Sequence, residues 1–243
     1  TAYEIKECDW SSDVCSSDLL DFNAPRVEVD KAELEKPAEN LPLGGLIKQY
    51  VALTKPRVIS LLLFTTIAAM YAAHDSNHAF PSIWLVLAVG IGGYMAAGAA
   101  NAINMVIDRD IDGTMKRTST RPTVTHEIST KNAVAFGFTL AVCSFAILWG
   151  AANLLSALMA LSGLVFYVIV YTMLLKRRTW QNIVIGGAAG AVPVLIGWSA
   201  VTNNLGWTPV LLFVVIFIWT PPHFWALAVR YRDDYAAANV PMM

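Results

Sequence analysis

Two stretches of this sequence, residues 132–175 and 182–229, contain no Lys, Arg, Asp or Glu. A helix needs about 20 consecutive apolar residues to cross a hydrocarbon core about 30 Å thick. Each stretch is therefore long enough to cross a bilayer twice. Across the chain 56% of residues are hydrophobic and 14% charged, where soluble domains carry about 25% charged residues. A secreted disulfide scaffold, a nucleic-acid-binding domain and a disordered chain are excluded. The apolar runs are continuous rather than alternating, which excludes a membrane barrel. The fold class is an all-α polytopic membrane protein.

Charge, Pro, Gly and Asn divide the apolar part into six predicted helices: about Val58–Ala73, Pro81 to beyond Asn104, Ala133–Ala152, Leu154–Leu175, Asn182–Val201 and Thr208–Val229. Residues 45–243 read as one transmembrane domain. Residues 1–44 read as a separate, unstructured segment, in which Asp9–Leu19 resembles translated sequencing-adapter sequence. From residue 41 onward every Lys and Arg precedes the first helix or follows the second, fourth or sixth, and the other links carry none. The excess of bases on the cytoplasmic side of membrane proteins predicts that the N-terminus and these links are cytoplasmic; the expected membrane is a bacterial inner membrane. Cys8, Cys15 and Cys143 fit no metal spacing, and Cys143 is expected to be a small core residue.

Five of the seven acids beyond residue 40 form two clusters, Asp108/Asp110/Asp112 and Asp233/Asp234. They follow the second and sixth helices, so both lie at one membrane face and can share a site. Asn104, Asp108 and Asp112 are spaced by four and form one helical stripe. Carboxylates one turn apart repel, and oxygen-only donors suit a hard cation, Mg²⁺ rather than zinc. The bland alternative is a solvated helix end whose acids pair with nearby bases, but ionisable groups beside a membrane core are costly and usually functional. Arg117 and Arg121, in the same link, fit a bound diphosphate and equally fit topology signals.

Asn104-x₃-Asp108-x₃-Asp112 with Arg117-Thr and Arg121-Pro122 resembles the first aspartate-rich motif of the UbiA superfamily of intramembrane prenyltransferases. Thr54-Lys-Pro-Arg57, Tyr171-Thr with Lys176-Arg-Arg-Thr179, Gln181 to Pro193, Pro221-Pro-His-Phe-Trp-Ala-Leu-Ala228 and Asp233-Asp-Tyr235 narrow the resemblance to its protohaem IX farnesyltransferase branch. The similarity runs from about residue 45 to the end. Trp180, and Pro122-Thr-Val-Thr-His126 in the first acidic loop, depart from the usual pattern. The resemblance implies a nine-helix UbiA-like bundle, of which six helices are expected here.

It also implies an enzyme that transfers the farnesyl group of farnesyl diphosphate to a vinyl group of haem b, giving haem O for haem A and cytochrome oxidase cofactor synthesis. Asn104, Asp108, Asp112 and Asp234, with Asp233, would hold Mg²⁺. Arg57, Arg117, Arg121, Tyr171, Lys176, Arg177 and His223 would bind substrate. Membrane lipid and a downstream haem A synthase are the implied partners, with no nucleic acid. His223 fits either a haem contact or a helix-end hydrogen bond. Trp219, Phe224 and Trp225 fit interfacial anchors or a porphyrin face, and Gly186-x₃-Gly190 fits close helix packing. Two alternatives stand beside this reading: a UbiA relative acting on a quinone precursor or a chlorophyll-type ring, and a haem transport or assembly protein. A transporter places its ionisable groups near the bilayer midplane, whereas these lie at one face.

Overall fold

The computed structural model describes residues 42–74, 80–115, 118–232, 235, 240 and 241. All regular structure among them is helical: α1 (Leu43–Thr54), α2 (Pro56–Ala72), α3 (Ile83–Ile107), the single turn α4 (Arg109–Asp112), α5 (Thr130–Ala151), α6 (Leu154–Val165), α7 (Asn182–Thr202) and α8 (Trp207–Arg230). A π-helical segment, Phe166–Leu175, continues α6 without a break. Five helices are long and apolar enough to cross a membrane, and α1 with α2, bent by 51°, makes a sixth if taken together. The expected spans are therefore present, with α2 at Pro56–Ala72 in place of Val58–Ala73. The structure adds α1, which the sequence reading left outside the spans. It also starts α3 at Ile83 rather than Pro81, because Ser82 caps it by accepting a hydrogen bond from the Leu85 amide at 3.2 Å.

The break between α1 and α2 has a local cause. Pro56 disfavours helical geometry in the residue before it, and Lys55 adopts the left-handed conformation (φ 57°, ψ 66°). Neighbouring α3 secures the break. The Asn101 side chain donates to the Thr54 carbonyl at 2.9 Å, and Tyr94 and Thr54 share a hydroxyl hydrogen bond of 2.7 Å.

Helix α7 is the centre of the bundle: half of its spanning window is buried, against 11% for the α6 and α8 spans. It packs against α2, α6 and α8. At Gly197 the α7 backbone lies directly on the Thr66 carbonyl of α2, leaving no room for a methyl group. Between α3 and α5 the same device uses side chains: Leu148 fills the space over Gly92, and Ser144 donates to the Gly92 carbonyl at 2.7 Å. Small residues at such crossings let helices approach closely where lipid supplies no hydrophobic drive. Met70, Val89, Leu148, Ala157 and Ile196 form the main core, and Leu53, Ala102, Met105, Ile128 and Ala133 a second one. Outward-facing Leu61, Phe64, Phe138, Leu211 and Val215 are exposed, as expected of a lipid-facing surface. Cys143 is only half-buried, not the core residue expected, because its side of α5 turns partly outward.

Candidate functional site

The site lies where α3 ends. Asp108 leaves helical geometry (φ −89°, ψ 3°), yet the helical hydrogen bonds continue through it: the Asp108 amide donates to Asn104 and the Asp112 amide to Asp108, each at 2.9 Å. The four-residue spacing therefore survives the kink. Its three carboxylates have different surroundings. Asp108 and Asp112 are 0% and 2% exposed, while the Asp110 side chain is 64% exposed.

Bases from distant parts of the chain surround the buried pair. Lys176 Nζ lies 2.5 Å from Asp108 Oδ2, and Arg121 Nη1 2.5 Å from Asp112 Oδ2. Arg177 Nη2 is 3.7 Å from Asp108 Oδ1. Arg177 also forks onto Asp110 at 2.6 and 2.7 Å and donates to the Ile107 carbonyl at 2.9 Å. This paired guanidinium holds the Asp110 carboxyl below its ordinary value of 3.8 and is itself raised by the carboxylate. Asn104, 3% exposed, donates through Nδ2 to Asp108 Oδ2 at 2.6 Å and to Thr172 Oγ1 at 3.1 Å. Its Oδ1 faces Lys55 Nζ at 3.5 Å.

The loop from Gly113 to Ser129 is built to hold Arg121. Thr118 donates to the Asp112 carbonyl at 3.0 Å, and the Ile128 amide to the Pro122 carbonyl at 3.2 Å. Pro122, Thr123 and Val124 are buried. His126, in left-handed geometry (φ 60°), accepts from Arg109 at 2.6 Å. The atypical Pro122–His126 stretch is thus a compact turn secured to α4.

Of the site residues expected from sequence, the structure gathers Asn104, Asp108, Asp112, Arg121, Lys176 and Arg177. Arg57 sits exposed in the first turn of α2. The Tyr171 ring packs on Gly186 of α7, so Gly186 is the close-packing glycine, whereas Gly190 faces open space. His223 is exposed on α8 and stacks on Trp219 at 4.6 Å. Among the described residues no hydrogen bond or ion pair joins it to the acids. Arg117, Asp233 and Asp234 lie outside the described residues. Tyr235, which follows the second acidic pair, packs with Ile111 of α4 against the cluster of Ile183, Ala228 and Val240.

Three residues near the acids escaped the sequence reading as site residues. Lys55 reaches Asn104 because the α1–α2 break turns it inward, and Pro56 was the available signal. Thr172 reaches Asn104 from the π segment. Tyr167, five residues earlier, stands in the field of Asp108, Arg121 and Asp112. Nothing in the apolar run around it announces a π-helix.

The donors fit a hard divalent cation. Asp108 Oδ1 is buried without a hydrogen-bond partner, an expensive state for a carboxylate oxygen. With Asn104 Oδ1 and Asp112 it makes an all-oxygen set next to bases that suit a diphosphate. Arrayed acids and bases at one membrane face can hold a metal–diphosphate while the helices hold an apolar tail.

The profile of the UbiA prenyltransferase family matches residues 62–243. The chain is 60% identical over 229 residues to the protoheme IX farnesyltransferase of Thermus thermophilus, covering 94% of this chain and 37% of that protein. It is 55% identical over 207 residues to protoheme IX farnesyltransferase 1 of Saccharopolyspora erythraea, covering 85% and 65%. The chain thus spans under two thirds of the length of either relative. Among solved structures, it resembles a UbiA homolog from Archaeoglobus fulgidus bound to DMAPP and Mg²⁺, with a TM-score of 0.66, 20% identity and coverage of 79% and 67%. The same homolog bound to GPP and Mg²⁺ gives a TM-score of 0.63. That likeness shows the fold.

Proposed function

The chain belongs to the UbiA prenyltransferase family, and from that premise we propose that it forms the acidic half of a farnesyl-transfer site acting on farnesyl diphosphate and haem b. The single observation that carries the proposal is the buried stripe Asn104–Asp108–Asp112 ringed by Lys55, Arg121, Lys176 and Arg177. The identities to two protoheme IX farnesyltransferases support haem as the acceptor.

Asn104, Asp108 and Asp112, with Asp233 and Asp234, would hold Mg²⁺, which when bound stabilises the charge gathering on a departing diphosphate. The packing of Tyr235 and Ile111 on one cluster supports a shared site for both acidic segments. Arg121, Lys176 and Arg177, with Arg117 and Arg57, grip the diphosphate oxygens and strengthen as charge develops there. The farnesyl carbon–oxygen bond breaks, and the electron pair leaves with the diphosphate. A haem vinyl carbon attacks the allylic cation, and water then adds to the neighbouring carbon and loses a proton, leaving a hydroxyethylfarnesyl substituent. The helices exclude bulk water from the cation. Tyr171, packed on Gly186 of α7, contributes to holding the substrate. His223, with Trp219 beside it, offers an exposed imidazole for haem iron or propionate. The basic links lie on the cytoplasmic side of a bacterial inner membrane, and the product passes to a haem A synthase.

The test is direct. Membranes containing the full-length protein receive haem b, farnesyl diphosphate and Mg²⁺, with and without EDTA, and haem products are identified by mass. The expected result is haem O, lost on chelation. No haem product from folded protein, with prenylation of an aromatic acid or another ring instead, overturns the acceptor.

A further inference from the structure

We infer that Thr172 is a positioning residue: it fixes which way the buried Asn104 amide faces, and the π segment is the device that delivers it. The inference rests on reading Asn104 as a metal ligand.

The argument is one of hydrogen-bond accounting. An amide nitrogen has two hydrogens and no acceptor capacity. Asn104 Nδ2 commits one hydrogen to Asp108 Oδ2 at 2.6 Å and the other to Thr172 Oγ1 at 3.1 Å. The Thr172 hydroxyl has a single hydrogen, donated to the Tyr167 carbonyl at 2.9 Å. Toward Asn104, Thr172 can therefore only accept, as an ionised Asp108 can only accept. Turning the amide over would press Oδ1 against two oxygens that have no hydrogen to offer. Oδ1 is consequently held on the opposite side, where Lys55 Nζ already marks the position of a cation at 3.5 Å. Only that oxygen can ligate a hard cation, since the amide nitrogen has no lone pair to give.

The π segment matters because the carbonyl that consumes the Thr172 proton is five residues back. In an α-helix a threonine hydroxyl bonds to the carbonyl three or four residues back. Lys176 repeats the pattern: its amide donates to the Tyr171 carbonyl, also five back, at 2.9 Å. Thr172 within this segment and Lys176, which caps it, both reach the Asn104–Asp108 pair and both depend on wider turns. Such insertions commonly mark functional sites. Thr172 is 0% exposed and the Tyr171 ring rests on Gly186 of α7, so the segment has little freedom to unwind.

Full-length protein carrying Thr172→Val or Thr172→Ser tests this, with Mn²⁺ affinity read by EPR in the presence of inorganic diphosphate. The Mg²⁺ concentration for half-maximal farnesyl transfer is the second measurement. Thr172→Val is expected to weaken Mn²⁺ binding by about 10-fold or more and to raise the Mg²⁺ requirement. The KM for farnesyl diphosphate at saturating Mg²⁺ should hold, and Thr172→Ser should restore wild-type metal affinity. Unchanged Mn²⁺ affinity in Thr172→Val, or equal loss in Thr172→Ser, overturns the positioning role. If Thr172→Val does not fold, Thr172→Ala replaces it under the same criteria. Asn104→Ala separates the two levels. Wild-type Mn²⁺ binding in that variant removes Asn104 as a ligand and the inference with it, whereas weakened binding in Asn104→Ala beside wild-type binding in Thr172→Val removes the inference alone.

Discussion

The two ends of the bundle solve the same problem in opposite ways. Wherever helices stop, backbone groups lose their partners and need others. At the end whose links carry no Lys or Arg, short neutral contacts serve. Asn153 caps α6 by accepting from the Ser156 amide at 2.9 Å, and its Nδ2 donates to the Ser199 carbonyl of α7 at 2.7 Å. Asn203 closes α7 in left-handed geometry, its amide donating to Ser199 at 2.8 Å. At the other end, α3 stops on a buried carboxylate, and bases from three links meet the stripe it belongs to: Lys55 at Asn104, Arg121 at Asp112, and Lys176 with Arg177 at Asp108. Neutral caps are complete in themselves. The charged end retains an unsatisfied oxygen, Asp108 Oδ1, so it is arranged for a ligand rather than for closure.

Three substitutions can break or sharpen that contrast. The largest effect is expected from Asp108→Ala, which removes the hub of the charged end and leaves Lys176 poorly compensated. Farnesyl transfer per folded molecule should fall by about 10²-fold or more, and unfolding in detergent should show a loss of about 3–5 kcal/mol. Transfer within a few-fold of wild type would mean that the buried pair is structural. Asn153→Ala should do the reverse. Loss of the cap and of the α7 contact costs about 2 kcal/mol together, with turnover of the folded fraction unchanged. A fall in turnover comparable to that in Asp108→Ala would erase the distinction between the ends.

The smallest effect belongs to Asp110→Asn, because solvent screens an exposed pair with Arg177 to below about 1 kcal/mol. The sign with pH follows from the lowered Asp110 value. The pair stabilises the fold above the ordinary 3.8 and is lost as pH falls through the lower, folded-state value. A thermal-stability profile should therefore converge for wild type and variant only at the acid end. A difference that instead widens on acidification would contradict the assignment.

The apolar spans were legible because membrane helices declare themselves by what they lack, charge, over a known length. The stripe was legible because a four-residue spacing survives the small kink at Asp108. Much of the rest depends on tertiary position. Asp108, Asp110 and Asp112 are identical as letters, and only the direction of each side chain separates two buried groups from an exposed one. Helix α1 was passed over because Lys48 and Lys55 placed its stretch ahead of the first apolar span. Tyr171 was singled out because it sits in a recognisable motif, yet its ring turns to Gly186, while Tyr167 supplies the carbonyl that takes the Thr172 proton. Placing Thr172 correctly required a π-helix, and its apolar sequence is as compatible with an α-helix.

The contact between Gly197 and the Thr66 carbonyl carries a consequence for how such a protein can change over time. Its lipid-facing leucines, valines and phenylalanines can exchange freely, since the surrounding solvent is indifferent to their shape. Gly197 has no such latitude. It sets the separation of α2, whose first residues follow Lys55, from α7, whose first turn anchors the link carrying Lys176. An added methyl there would alter no charge and touch no substrate, yet it would lengthen the span across which opposing bases must reach. The tolerance of the basic end is thus set partly by a ruler near the other end, graduated in single carbon atoms.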